Sequence, residues 1–369
     1  MDAHLPDALP EEAANETSTG SGRIADPRRY FESIGDKRTA VATNDPVCLY
    51  LETTNRCNLL CTTCPRTFEE LEPPSDMSWE LFTSIVGQFP KIERVVLHGV
   101  GEPMMVAELP KMVRHLKERG VYVLFNTNGT LMREKKSREL IEAGLDEMRV
   151  SLDAAEPKAF EMVRGRDLFD RIVRNIKNFV ALKKQMGADK PRLSLWLTGL
   201  RETVEQLPAF IRLAHEIGVP EVHLQRLVYF ENGKQGLARP ESSLFEKRDA
   251  DEGKYLFEAE RIAAGLGVFF DASGAAEPEA SLRRADDDTP WSLCRRPWSL
   301  MYFTAHGRAL PCCIAPFSMQ GYENFTLGNA KTTPLKDIWN GRGYRDFREG
   351  LLGDNPPAAC AGCGLRWSL

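Results

Sequence analysis

From about residue 46 to residue 230 the chain repeats one plan: a short apolar run, then an amphipathic stretch. The apolar runs stand at 47–51, 94–98, 121–126, 147–152, 192–197 and 221–228. Amphipathic stretches such as 109–119, 168–183 and 204–217 lie between them, and Gly120, Gly144 and Gly218 close several. An apolar strand followed by a helix returns the chain to the same end of the sheet, so successive strands run parallel. Six such units predict an α/β fold, a partial (β/α)6 parallel barrel over residues 46–230, with its working loops at the strand C-termini.

The flanks read differently. Residues 1–45 begin with Ala, Glu, Pro, Ser, Thr and Gly and offer little to bury, which predicts a disordered or extended N-terminal segment. Residues 231–290 read as a connecting loop, a helix near 255–265 and a linker. Residues 291–369 form a smaller α+β unit. There the runs 299–303 and 309–312, joined across Gly307, predict a hairpin. Leu335, Ile338, Trp339 and Phe347 keep helical spacing through 334–351, weakened by Gly341 and Gly343.

The 369 residues carry a net charge of -5, which argues against a basic nucleic-acid groove. No apolar run reaches the ~18 residues of a membrane span. The N-terminus has acidic residues and no signal core, so a soluble, cytoplasmic protein is expected. Nine cysteines in such a chain point to metal or redox chemistry before disulfides.

Cys57, Cys61 and Cys64 fall within eight residues just after the first strand, in the pattern C-x3-C-x2-C. No fourth Cys or His lies nearby to close a zinc site, whereas three thiolates suit a [4Fe-4S] cluster with one iron left open. This spacing in this place resembles the radical S-adenosylmethionine (SAM) superfamily. The resemblance implies that the open iron holds SAM, that reductive cleavage yields a 5′-deoxyadenosyl radical, and that a flavodoxin or ferredoxin supplies the electron. Later loops fit the same order. Gly99, Gly101, Glu102 and Pro103 follow the second strand and are similar to the glycine-rich motif that contacts the methionyl amine. Thr127 and Asn128 follow the third strand, and Ser151 and Asp153 the fourth, where hydroxyl and carboxylate suit ribose. Arg164 is placed to pair with the SAM carboxylate. Each of these also has a plain reading as turn, helix cap or surface charge.

Cys294, Cys312, Cys360 and Cys363 make a second set of four, enough for zinc or for another [4Fe-4S] cluster. Behind a radical SAM barrel this set resembles the SPASM/twitch extension, which implies one auxiliary [4Fe-4S] cluster. Cys48 reads as a core thiol. Cys313 reads as packing, or as a hydrogen donor to a substrate radical if it faces the barrel mouth.

The resulting expectation is a radical SAM oxidoreductase acting on a small polar metabolite such as a sugar, aminocyclitol or aminoglycoside. A small-molecule partner is preferred to a peptide because the N-terminal tail is short, and net oxidation is favoured over epimerisation. The alternatives are a maturase of a ribosomally made peptide and a non-catalytic iron–sulfur electron carrier.

Overall fold

The computed structural model describes residues 38–229, 236–244, 250–273, 289–318, 321 and 325–361. Six parallel strands follow the predicted order: β1 (Cys48–Leu51), β2 (Arg94–Val96), β3 (Tyr122–Thr127), β4 (Glu147–Ser151), β5 (Arg192–Gly199) and β6 (Glu221–Arg226). A seventh, β7 (Phe269–Ala272), pairs parallel with β6 at the start of the stretch that reads as linker. Four residues after Gly267 are too few for an alternation to stand out. The helices are α1 (Trp79–Gly87), α2 (Leu109–Glu118), α3 (Glu134–Glu142), α4 (Pro157–Arg164), α5 (Phe169–Gln185), α6 (Leu207–Glu216) and α7 (Ala250–Leu266).

Alternation along each strand divides the sheet into two faces. Leu49, Val95, Val123, Met148, Leu195 and Val222 point outward and meet Phe82, Val113, Leu140, Ile172, Phe210 and Leu256 from the helices in one core. Each fully buried side chain of this size contributes about 1.5–3 kcal/mol. The inner face carries a second apolar cluster on its β8–β1–β2–β3 side, with Cys48, Val96, Leu124, Leu300 and Tyr302.

The C-terminal unit continues the barrel sheet. The predicted hairpin is β8 (Leu300–Phe303) and β9 (Arg308–Leu310), and β8 lies parallel to β1. A two-residue β10 (Gly328–Asn329) completes the order β10-β9-β8-β1-β2-β3-β4-β5-β6-β7. The stretch read as one weakened helix is two, α8 (Leu335–Trp339) and α9 (Arg342–Leu352), with Gly341 capping the second. The end of the N-terminal segment is fastened to this unit: Trp298 Nε1 donates to the Thr39 carbonyl at 2.7 Å and Asn340 Nδ2 to that of Ala42 at 3.0 Å.

One buried carboxylate joins barrel and extension. Glu52, directly after β1, is 2% exposed. It accepts from Val100 N at 3.0 Å, Tyr302 OH at 2.9 Å and Ala305 N at 3.1 Å. Burial raises its pKa, and these three bonds oppose the rise. Beside it, Gly101 lies so close to the first loop that a Cβ there would stand 2.2 Å from the Thr54 carbonyl oxygen and 2.6 Å from that of Arg56. Gly101→Ala is therefore expected to lower the unfolding free energy by about 1–3 kcal/mol in denaturant titration. Gly87→Ala, where a Cβ meets nothing within 4 Å, is expected to be neutral or slightly stabilising. Equal effects at the two positions would contradict the close approach.

Candidate active site

The loop after β1 is held along its whole length. Asn55 Nδ2 donates to the Glu72 carbonyl at 3.1 Å, and its Oδ1 accepts from Ser75 N at 2.7 Å. Thr62 N donates to the Val163 carbonyl at 2.8 Å, and Leu237 N donates to the Thr62 carbonyl at 2.7 Å. Gly165, at φ 73°, caps α4 where a Cβ would stand 2.4 Å from the Leu60 carbonyl. The loop that carries the three thiols is thus fixed by the ends of several other elements.

Cys61 is buried and Cys57 and Cys64 are half-buried. Burial pushes the Cys64 thiol up to about 12 and raises Cys57 as well, and the charge of Cys61 acts on both. Such thiols stay protonated until a metal takes them, and coordination supplies the charge that burial withholds. Two donors face the sulfurs: Arg164 Nη1 lies 3.5 Å from Cys61 Sγ and Asn128 Nδ2 lies 3.8 Å from Cys57 Sγ. N–H groups aimed at thiolate sulfur are one of the means by which iron–sulfur sites are tuned. Among the described residues no three Cys, His, Asp or Glu side chains close on a single ion. A four-iron cube holds its thiolates on separate corners, further apart than one zinc ion does. Three thiols on one fixed loop, with two N–H donors aimed at their sulfurs, suit such a cluster.

Other expected residues gather around this loop and bond one another. Arg164 Nη2 pairs with Asp153 Oδ2 at 2.5 Å, so its guanidinium is divided between that carboxylate and Cys61. Burial alone would lower the Arg164 pKa, but Asp153 and the thiols raise it on balance. Asp153 stands at φ 61°, a left-handed backbone uncommon outside Gly and Asn/Asp, and its Oδ1 accepts from Thr198 N at 2.7 Å. Glu102 is buried and accepts from Met104 N at 3.0 Å, Thr127 Oγ1 at 2.7 Å and Asn128 N at 2.7 Å. It ties the loop after β2 to the loop after β3, while Pro103 opens a short turn, Pro103–Met105. Gly99 admits no Cβ, which would meet Glu52 Cγ at 2.2 Å. Gly99 and Gly101 thus seat the loop that carries the thiols. Ser151 ends β4, half-buried.

Asn58 and Thr130 were not expected at this site. Asn58 Nδ2 donates to Thr130 Oγ1 at 2.8 Å, and its Oδ1 accepts from Asn128 Nδ2 at 2.9 Å. Adjacency to Cys57 was the available sign for Asn58. His98 shows an inner Nδ1 without a partner and stacks on Phe317 at 5.9 Å. Burial, helped by Arg149, takes its pKa down to about 4, so it stays neutral near pH 7.

Cys294, Cys312 and Cys360 are half-buried, and Cys363 lies outside the described residues. Cys313 turns into the inner apolar cluster with Cys48, Leu300 and Leu310, where the Tyr50 hydroxyl donates to its sulfur. Cys48 opens β1 at the end opposite the loop of Cys57, so Cys313 does not face the barrel mouth. Both cysteines lie in the turn after β9, and Cys312 packs against the same apolar cluster, so strand alternation does not separate them.

Comparison with known proteins agrees with this geometry. The family described as the radical SAM superfamily matches residues 51–214, and the SPASM iron–sulfur cluster-binding domain matches residues 294–364. The tungsten-containing aldehyde ferredoxin oxidoreductase cofactor-modifying protein of Pyrococcus furiosus is 32% identical over 329 residues, 86% of this chain and 87% of that protein. The chain belongs to the radical SAM superfamily.

This radical SAM chain is also 26% identical over 298 residues to the PqqA peptide cyclase of Gluconobacter oxydans, 80% of this chain and 76% of that protein. Its fold is that of Streptococcus suis SuiB bound to precursor peptide SuiA, with a TM-score of 0.64 at 17% identity over 92% of this chain and 74% of that chain. The cofactors of the family are SAM and a [4Fe-4S] cluster, with auxiliary iron–sulfur in the SPASM unit. No helix among the described residues is long and apolar enough to cross a membrane.

A relative named as a peptide cyclase and aligned over four-fifths of the chain overturns the expected small polar metabolite and the preference for a small-molecule partner. That preference rested on the short tail. Tail length carries no information about what the barrel interior accepts.

Two [4Fe-4S] clusters imply about eight iron atoms per chain. Cys57→Ala, Cys61→Ala and Cys64→Ala are each expected to leave about four in anaerobic iron analysis, with zinc at background. Full iron in any of the three variants would place the ligands elsewhere.

Proposed function

We propose that this chain is a radical SAM maturase that modifies a ribosomally made peptide. The observation that carries the reading is the alignment with a peptide cyclase, which covers 80% of this chain and 76% of that protein. With SAM on the reduced cluster, the pair supplies a 5′-deoxyadenosyl radical that takes a hydrogen atom from a C–H bond.

The chain's own residues do the positioning. Cys57, Cys61 and Cys64 would hold the first cluster, with Arg164 and Asn128 donating to the sulfurs. Cys294, Cys312, Cys360 and Cys363 would hold the auxiliary one. Glu52 and Gly101 keep the first loop in register with the loop after β2. The apolar half of the inner face keeps water from the interior, and its polar half, on β4 to β7, meets the substrate. We favour loss of hydrogen without its return, since the Cys313 thiol is packed against Tyr50 and Cys48 and away from the loop of Cys57.

A second reading follows from the relative at 32% identity, named for modifying the cofactor of a tungsten enzyme. Here the modified product serves a partner oxidoreductase.

The test is anaerobic incubation with SAM, dithionite and a synthetic candidate precursor, copied from any short open reading frame that adjoins the gene. Wild-type protein is expected to form 5′-deoxyadenosine and to change the peptide's mass, and Cys61→Ala to do neither. SAM cleavage indifferent to the peptide, with the peptide unchanged, would overturn the peptide reading and leave the second one. Cys313→Ala is expected to keep the same peptide product, and an altered product would return the thiol to the mechanism.

A further inference from the structure

Four side chains on four neighbouring strands form one row across the inner face. The Arg149 guanidinium lies 4.4 Å from the Trp196 ring centroid, and the Trp196 and His223 rings stack at 4.0 Å and 28°. His223 Nδ1 bonds Asp271 Oδ1. All four lie opposite the core-facing positions Met148, Val150, Leu195, Leu197, Val222, Leu224 and Ala272, so the row looks into the barrel.

The row is held rigidly. Trp196 Nε1 donates to Ser194 Oγ at 2.9 Å, which fixes the indole edge. Arg149 Nε donates to Glu147 Oε1 at 2.5 Å, and Arg192 reaches both Glu147 and Glu221 at 3.3 Å. The Glu147 carboxyl is buried, which alone would raise its pKa, yet Arg149, Arg192 and Arg94 hold it down to about 2. The row also sits next to the site. The Trp196 carbonyl accepts from Leu152 N at 3.0 Å, and Thr198, two residues on, bonds the Asp153 that pairs with Arg164.

A histidine with one ring nitrogen bound by a carboxylate presents the other as a directed proton acceptor. His98, the other histidine on this face, has no such carboxylate, and burial keeps it neutral. The groups facing His223 are Trp196, Asp271, Glu221, Arg192 and, one strand further, Arg149.

Resting on the peptide reading above, we infer that His223, oriented by Asp271 and clamped by Trp196, is the catalytic base that takes a proton from the substrate once hydrogen has been abstracted. An O–H or N–H bond beside the substrate's carbon radical breaks and its electron pair stays on the substrate. The proton goes to Nε2, while the Nδ1 proton stays on the ring, hydrogen-bonded to the Asp271 carboxylate. The step moves a proton only and consumes no oxidant. Asp271 and Trp196 are positioning residues.

Two measurements test this. In the reconstituted protein labelled with 15N-histidine, His223 is expected to carry its neutral-form proton on Nδ1, a preference lost in Asp271→Asn. A wild-type signal with the proton on Nε2 would overturn the assignment, whatever the substrate. In turnover with the synthetic peptide, His223→Gln is expected to raise the ratio of 5′-deoxyadenosine to modified peptide about 100-fold. Asp271→Asn, of nearly the same shape, is expected to raise it in the same direction. A ratio equal to wild type in both variants would remove His223 from the chemistry. A peptide untouched by wild type would count against the maturase reading, and the tautomer would still decide the dyad.

Discussion

A carboxylate without water has to be surrounded by donors, and Glu52 draws its donors from three separate segments. Val100 comes from the loop after β2, Tyr302 from β8 and Ala305 from the turn that follows β8. All three must be in place for the charge or the acid proton to be tolerated there. The residue follows β1 and precedes Cys57 by five positions, so what it fixes is the departure of the loop that carries the thiols. The close approach at Gly101 and the cap at Gly165 then leave that loop little freedom.

The interior of the barrel has two characters. Towards β8, β1, β2 and β3 it is apolar and packed. Towards β4, β5, β6 and β7 it is charged and aromatic, with its ions paired and its rings stacked. Radical chemistry is served by both, a dry side to protect a reactive intermediate and a rigid polar side to orient what enters. Arg164 joins the two levels, since one end of its guanidinium touches Asp153 above the polar wall and the other touches Cys61.

Much of this was legible in the sequence because the information was local. Three cysteines within eight residues need no fold to be read together, and the strand–helix alternation placed all six barrel strands to within a few residues. Contacts between distant residues were not legible. Arg164 and Cys61 are 103 positions apart and Glu52 and Tyr302 are 250, and no spacing rule links such pairs. The Glu102 oxygens accept bonds from Met104, Thr127 and Asn128, and no local pattern in the sequence announces that network. The inner row was missed because alternating strands show which residues share a face, not that four strands bring Arg149, Trp196, His223 and Asp271 into line. The substrate class was misread from the tail, a part of the chain remote from the chemistry.

The pairing of β1 with β8 sets the order in which the protein can be completed. Cys48 lies opposite Leu300, so one edge of the first strand has no neighbour until some 250 further residues have left the ribosome. Contacts of such long sequence separation form late and slow folding. During synthesis the nascent chain presents a bare strand edge of apolar residues beside reactive thiols, the kind of surface that associates with other chains. A chain that ends before β8 carries all three cysteines of the first loop but lacks Tyr302 and Ala305, two of the three donors that hold Glu52 at the start of that loop.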